Sequence, residues 1–119
     1  MPIDRNRESW KPGEPWERAV EDLEYIRGLT REMGGPDRVE RQHRGGRYTV
    51  YERIDKMVDP GSFVEAGSLV GAAEYDDNGN LVEFTPGAYV MGLAEIDGRS
   101  VAIGGDDFTI SGGSPHGVR

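Results

Sequence analysis

GLAEIDGRSVAIGGDDFTISGGSPHG, residues 92–117, sets out two turns in quick succession. Asp97-Gly98 separates the runs Ala88 to Ile96 and Arg99 to Gly104, and this dipeptide supplies the positive backbone angles of a two-residue hairpin turn. Further on, Ile110 to Pro115 reads as strand, turn and helix start. Gly112 and Gly113 permit a close backbone approach, Ser114 suits an N-cap, and Pro115 is preorganised for a first helical position. The amides of such a start can seat an anion or a developing oxyanion; equally, the glycines can serve only to turn the chain. His116 stands where it lines the same pocket or has a structural role. Asp106 and Asp107, read as neighbours on a strand, face opposite ways and do not converge on one ligand.

Working back from this stretch, Ser68 to Tyr75 and Leu81 to Phe84 flank DDNGN at 76–80, a second hairpin with a polar tip, and Phe63 to Glu65 forms a short strand before it. Upstream of Gly61 the period changes. Trp16, Ala19, Val20, Leu23, Ile26, Leu29 and Met33 recur at helical spacing behind Pro15 and before Gly34-Gly35. Pro36 opens a second helix through Gln42, ended by Gly45-Gly46. Thr49 and Glu52 have capping-box spacing for a third, which Asp59-Pro60-Gly61 stops. The fold class is α/β, and α+β within this segment: helices, then antiparallel hairpins. We divide the chain into a polar arm (1–13), a helical region (14–60) and a β-rich region (61–119). The arm either dangles or lies on a neighbour, and only in the second case does Trp10 matter.

In 119 residues there are 18 glycines and no cysteine, which excludes disulfides and thiolate metal sites and leaves a modest core that a partner can complete. Two histidines make a zinc centre a poor reading. No run of about 18 apolar residues and no N-terminal apolar segment occurs, so the expectation is a cytoplasmic protein without a membrane span. The net charge of −8 belongs to the second half, since residues 1–60 balance near −1 and residues 61–119 carry −7. RQHRGGR at 41–47 is the local exception. It reads as a solvated basic turn or as a seat for a phosphate-bearing group, whereas the acidic total argues against nucleic acid. His43, within it, reads as a hydrogen-bonding surface residue.

Two stretches taken together, RVERQHRGGRYTVYERIDKMVDPGSFVE (38–65) and GLAEIDGRSVAIGGDDFTISGGSPHG (92–117), resemble the start of the carboxyltransferase beta subunits of biotin-dependent acyl-CoA carboxylases, the family that includes propionyl-CoA carboxylase beta chains. The glycine-basic-x-Thr stretch, the ERI helix, the DPGSF-x-E turn, the IDGR hairpin and the DFT-x-x-GGS turn occur in the family's order. The resemblance implies the start of a crotonase-like (ClpP-like) spiral of ββα units. It implies transfer of a carboxyl group from carboxybiotin to the α-carbon of an acyl-CoA, with biotin on a carrier domain of another subunit. By this resemblance Asp107, Phe108, Thr109, Gly112, Gly113 and Ser114, with His116 beside them, shape the acyl-CoA side of the site. Arg44 and Arg47 are candidate contacts for coenzyme A phosphates, on charge more than on motif. No catalytic residue is assigned, because the family's oxyanion glycines lie beyond the matched region. Expected partners are the rest of the carboxyltransferase, a biotin carboxylase and a biotin carboxyl carrier, in a hexameric assembly. Two alternatives stay open: a non-catalytic assembly or regulatory subunit that docks on a carboxyltransferase, and a segment of a related acyl-CoA decarboxylase.

Overall fold

The computed structural model describes residues 3–114. Three helices come first, α1 (Trp16–Arg31), α2 (Pro36–Arg44) and α3 (Val50–Met57). Five strands follow, β1 (Val64–Ala66), β2 (Gly71–Tyr75), β3 (Leu81–Pro86), β4 (Tyr89–Ile96) and β5 (Arg99–Asp106). This is the expected α+β order. Each helix has a local cause. Glu17 and Arg31 sit at the ends of α1 where their charges complement the helix dipole. Pro36 opens α2, which runs to Arg44, two residues past the expected Gln42, with Arg41, His43 and Arg44 in its last turn. Thr49 closes the predicted capping box on α3: its hydroxyl accepts from the Glu52 amide at 3.3 Å, and the Glu52 carboxylate accepts from the Thr49 amide at 3.2 Å.

Both expected hairpins form, but the strands divide between two sheets. Among the described residues β2 and β3 pair only with each other, whereas β4 lies between β1 and β5, all antiparallel. Asp97 (φ 50°) and Gly98 (φ 75°) make the tight β4–β5 turn, and the carboxylate of Asp59 accepts from both of their amides, at 2.9 and 2.8 Å. The segment that stops α3 therefore also anchors the tip of the central hairpin.

Each sheet buries one face against a helix. Val50 and Ile54 of α3, with Val58 at its C-cap, pack on Val90 and Ala94 of β4, with Met33, Phe63 and Ile103 at the margin. A second cluster joins Leu29 of α1 to Leu81 and Phe84 of β3. Ile3 completes it, so the polar arm lies on its own chain. Arg7 pairs with Asp22 at 2.7 Å and lies over the Tyr25 ring. The Ser9 hydroxyl accepts from the Leu81 amide at 2.9 Å, and Trp10 stacks on Trp16.

One stretch departs from its strand reading. β5 ends at Asp106, and Asp107 to Ile110 form a turn rather than a continuation of the strand. The cause is local: the Asp107 side chain accepts from the Thr109 amide at 2.9 Å, an Asx-type turn that outcompetes the ladder. A single 3-10 turn follows at Ser111–Gly113. The expected helix start falls at the limit of the description: Ser114 is extended (ψ 137°), and Pro115 and His116 lie outside the described residues.

Candidate functional site

The turn after β5 is built around a buried acid. Asp107 is 2% exposed; one oxygen accepts from the Thr109 hydroxyl at 2.6 Å as well as from its amide. The Thr109 hydroxyl in turn accepts from the Gly34 amide at 2.9 Å, and Arg38 donates to the Thr109 carbonyl at 3.4 Å. This relay ties the turn to the α1–α2 junction, 75 residues away in sequence. Only glycine fits at the junction, because a Cβ on Gly34 would stand 2.0 Å from the Thr109 carbonyl oxygen.

The docked turn and α2 enclose an open cleft of about 440 Å³, lined by Arg38, Arg41, Gln42 and Arg47 on one side and by Phe108, Thr109, Ser111 and Gly112 on the other. Buried Gln42 shapes its floor: its side-chain amide donates to the Tyr48 carbonyl at 3.2 Å, while its backbone carbonyl accepts from the Arg47 amide at 3.1 Å. That return brings the Arg47 side chain over Gly45, where a Cβ would lie 3.2 Å from the guanidinium. Phe108 presents a half-exposed ring. Ser111, Gly112 and Gly113 all have positive φ, from 46° to 77°, so the backbone doubles back there without bulk at two of the three positions.

The cleft is electropositive within an acidic chain. Three arginines line it, and the turn's one acid, Asp107, is buried with two donors on it. Arginine forks match phosphate oxygens in geometry as well as charge. The backbone is engaged within the turn: the Gly113 and Ser114 amides donate to the Ile110 and Ser111 carbonyls, which favours the turn-forming reading of the glycines over the anion seat at those two amides.

Of the residues singled out in the sequence, Arg47, Phe108, Thr109 and Gly112 share this cleft. Gly113 backs it, with its Cβ position 3.3 Å from the Asp106 side chain. Arg44 points elsewhere and pairs with Glu40 at 2.8 Å on the exposed side of α2. His43 pairs with Glu52 at 2.6 Å, away from the cleft lining. Burial tends to raise the Glu52 carboxyl, but the His43 bond and the Thr49 amide outweigh it and hold the group below its ordinary 4.5. Sequence reasoning missed Arg38 and took Arg41 only as one charge of the basic 41–47 stretch. Their signal was the i, i+3 spacing, with Gln42 at i+4, which puts all three on one face of α2.

Comparison with known proteins adds a second line. The family model described as carboxyl transferase domain matches residues 41–118. Over 87 residues the chain is 38% identical to the mitochondrial propionyl-CoA carboxylase beta chain of Homo sapiens, covering 71% of this chain and 16% of that protein. It is 40% identical over 81 residues to the methylmalonyl-CoA decarboxylase subunit alpha of Veillonella parvula, covering 68% and 16%. Among solved structures, transcarboxylase 12S, a hexamer crystallised with methylmalonyl-coenzyme A and methylmalonic acid, superposes with a TM-score of 0.71 at 34% identity. That match covers 88% of this chain and 20% of the transcarboxylase chain. The chain thus spans a fifth or less of the length of these relatives.

Proposed function

Because the chain belongs to the carboxyl transferase domain family, we propose that it forms part of an acyl-CoA carboxyltransferase, in which a carboxyl group passes from carboxybiotin to the α-carbon of an acyl-CoA. The observation that carries this reading is the cleft between α2 and the 107–114 turn, where Arg38, Arg41 and Arg47 meet the family's DFT-x-x-GGS segment. In this reading the three arginines hold the phosphates of coenzyme A, and Phe108, Thr109 and Gly112 wall the side along which the acyl-CoA lies. The Asp107–Thr109–Gly34 relay keeps the two walls at a fixed distance, so that the ligand meets a preorganised surface.

Carboxybiotin enters as a substrate carried by another subunit. A cleft of guanidiniums suits phosphates and does not suit a neutral ureido ring, so no residue of this chain is assigned to biotin. The groups that stabilise the enolate belong to the rest of the carboxyltransferase. A biotin carboxylase and a carrier protein complete the set of partners, within a hexamer like that of transcarboxylase 12S. Among the described residues no helix is long and apolar enough to cross a membrane, and we place the assembly in the cytoplasm.

The similarity to a decarboxylase subunit supports a second reading, in which the same cleft holds an acyl-CoA that loses its carboxyl group to biotin. The test starts with calorimetric titration of the full chain with coenzyme A at low and moderate salt. The expected result is salt-sensitive binding that falls at least about tenfold in Arg38→Glu/Arg47→Glu, as loss of charge-assisted phosphate contacts requires. Binding indifferent to both changes refutes the cleft as the coenzyme A site. Assays of the complete assembly, carboxylation of propionyl-CoA against decarboxylation of methylmalonyl-CoA, then separate the two directions.

A further inference from the structure

The β1-β4-β5 sheet has a second apolar face that no described residue covers. One face packs on α3. The other carries Val64 of β1, Tyr89, Met91 and Leu93 of β4, and Ala102 of β5; Val64 and Leu93 are directly paired and are 68% and 65% exposed. Leu93 also pairs with Ala102, and Met91 with Gly104. The Tyr89 ring lies across Gly104, where a Cβ would stand 2.4 Å from the phenol oxygen. The Val64–Leu93–Ala102 row is thus large, large, small across the three strands, and the Ala66–Met91–Gly104 row beside it is small, large, small. A shallow trough of about 500 Å³ lies at one end of this face, bordered by Val64, Leu93 and Ala102 and, towards the hairpin tip, by Ser62, Glu95 and Ser100. A sheet apolar on both faces is a middle layer.

We propose that this face docks a helix of a carboxyltransferase body, one with an apolar stripe and a basic residue near each end. Three observations select that occupant. The strip runs from Tyr89 to its charged end at Glu95, six residue steps of strand or about 20 Å, which a helix of about 14 residues spans. Its charged residues are Glu95 at one end and Asp106, paired with Tyr89, at the other. An apolar centre between two carboxylates selects a partner with the opposite ends. Lastly, the matched relatives carry four fifths or more of their length beyond the part this chain resembles, enough chain to supply a covering layer. The identity of the occupant rests on the carboxyltransferase reading; the docking face itself rests on the sheet.

The experiment places a benzophenone amino acid at position 93 of the full chain, produced in its source cells, followed by irradiation and mass spectrometry of the adducts. Leu93 is exposed, so the probe leaves the fold intact. The expected adduct lies in a helix of a carboxyl transferase domain polypeptide with lysine or arginine near both ends. Its yield falls about tenfold in Glu95→Lys/Asp106→Lys. An adduct on position 93 of a second copy, an adduct on a protein without that domain, or a yield no higher than from a probe at Asp77 on the β2–β3 tip overturns the inference. The two readings fail separately. Adducts in material that neither carboxylates nor decarboxylates acyl-CoA leave the docking face standing and refute the activity; active material without the adduct does the reverse.

Discussion

Gly34→Ala is the sharpest probe of how the cleft is held together. Its Cβ would stand 2.0 Å from the Thr109 carbonyl oxygen and 2.7 Å from the carbonyl carbon. Both are backbone atoms, so no change of rotamer relieves the clash. Either the α1–α2 junction or the 107–110 turn has to retreat, and the Gly34 amide then loses the Thr109 hydroxyl. Overpacking of this kind costs about 1–3 kcal/mol, and a lost part-buried hydrogen bond adds about 1 kcal/mol. The sum, about 3 kcal/mol, corresponds to a fall in Tm of roughly 12 °C for a chain of this length. The control is Gly28→Ala, in the last turn of α1 with nothing within 4 Å of the new Cβ. There the helix gains about 0.5–1 kcal/mol, and Tm rises by a few degrees. Scanning calorimetry of both variants decides the matter. If Gly34→Ala melts with the parent, or is stabilised alongside Gly28→Ala, the close approach of turn and junction is wrong, and so is the cleft built on it.

Other consequences are open to test. Asp59→Ala removes the acceptor for two turn amides and lowers stability by about 1.5–3 kcal/mol, read by urea unfolding with an unchanged m-value. Glu52→Gln keeps the shape of the capping box but not its charge. The parent's depressed carboxyl gives stability that is present above pH 4.5 and lost as pH falls through the folded value, so the acid limb of the stability curve should flatten in the variant. Tyr51 titrates well above its ordinary 10.0, through burial and then through its hydrogen bond to Glu65. Its contribution is complete below pH 10 and is lost as pH rises further, so Tyr51→Phe should flatten the alkaline limb of the same curve.

What the sequence showed plainly was whatever a few neighbouring residues decide between them. The Thr49–Glu52 box, the Asp97-Gly98 turn and the glycine and proline stops around the helices all act within four residues, and each formed where expected. The strand reading of 107–110 failed for an equally local reason, a side-chain acceptor two residues before its amide donor. The division of five strands into two sheets depends on pairings between distant segments, as does the return of the arm onto Leu29, Leu81 and Phe84. No short motif announces either. The cleft was half visible: Arg41 and Arg47 stood out by charge, and Phe108, Thr109 and Gly112 by motif. Arg38 joins them, and the arginines meet the turn, only because Gly34 lets the junction dock on Thr109.

The two buried clusters share no residue, and that has a consequence for how the molecule breathes. One is α3 against the β1-β4-β5 sheet; the other is α1 and the arm against β2–β3. Hydrogen exchange should resolve them as two foldons with separate opening energies. The Gly34–Thr109 hydrogen bond spans the seam, so the Gly34 amide should exchange with the less protected unit. Anything that binds in the neighbouring cleft then acts as a rivet, slowing exchange on both sides of the seam while touching few of the amides it protects.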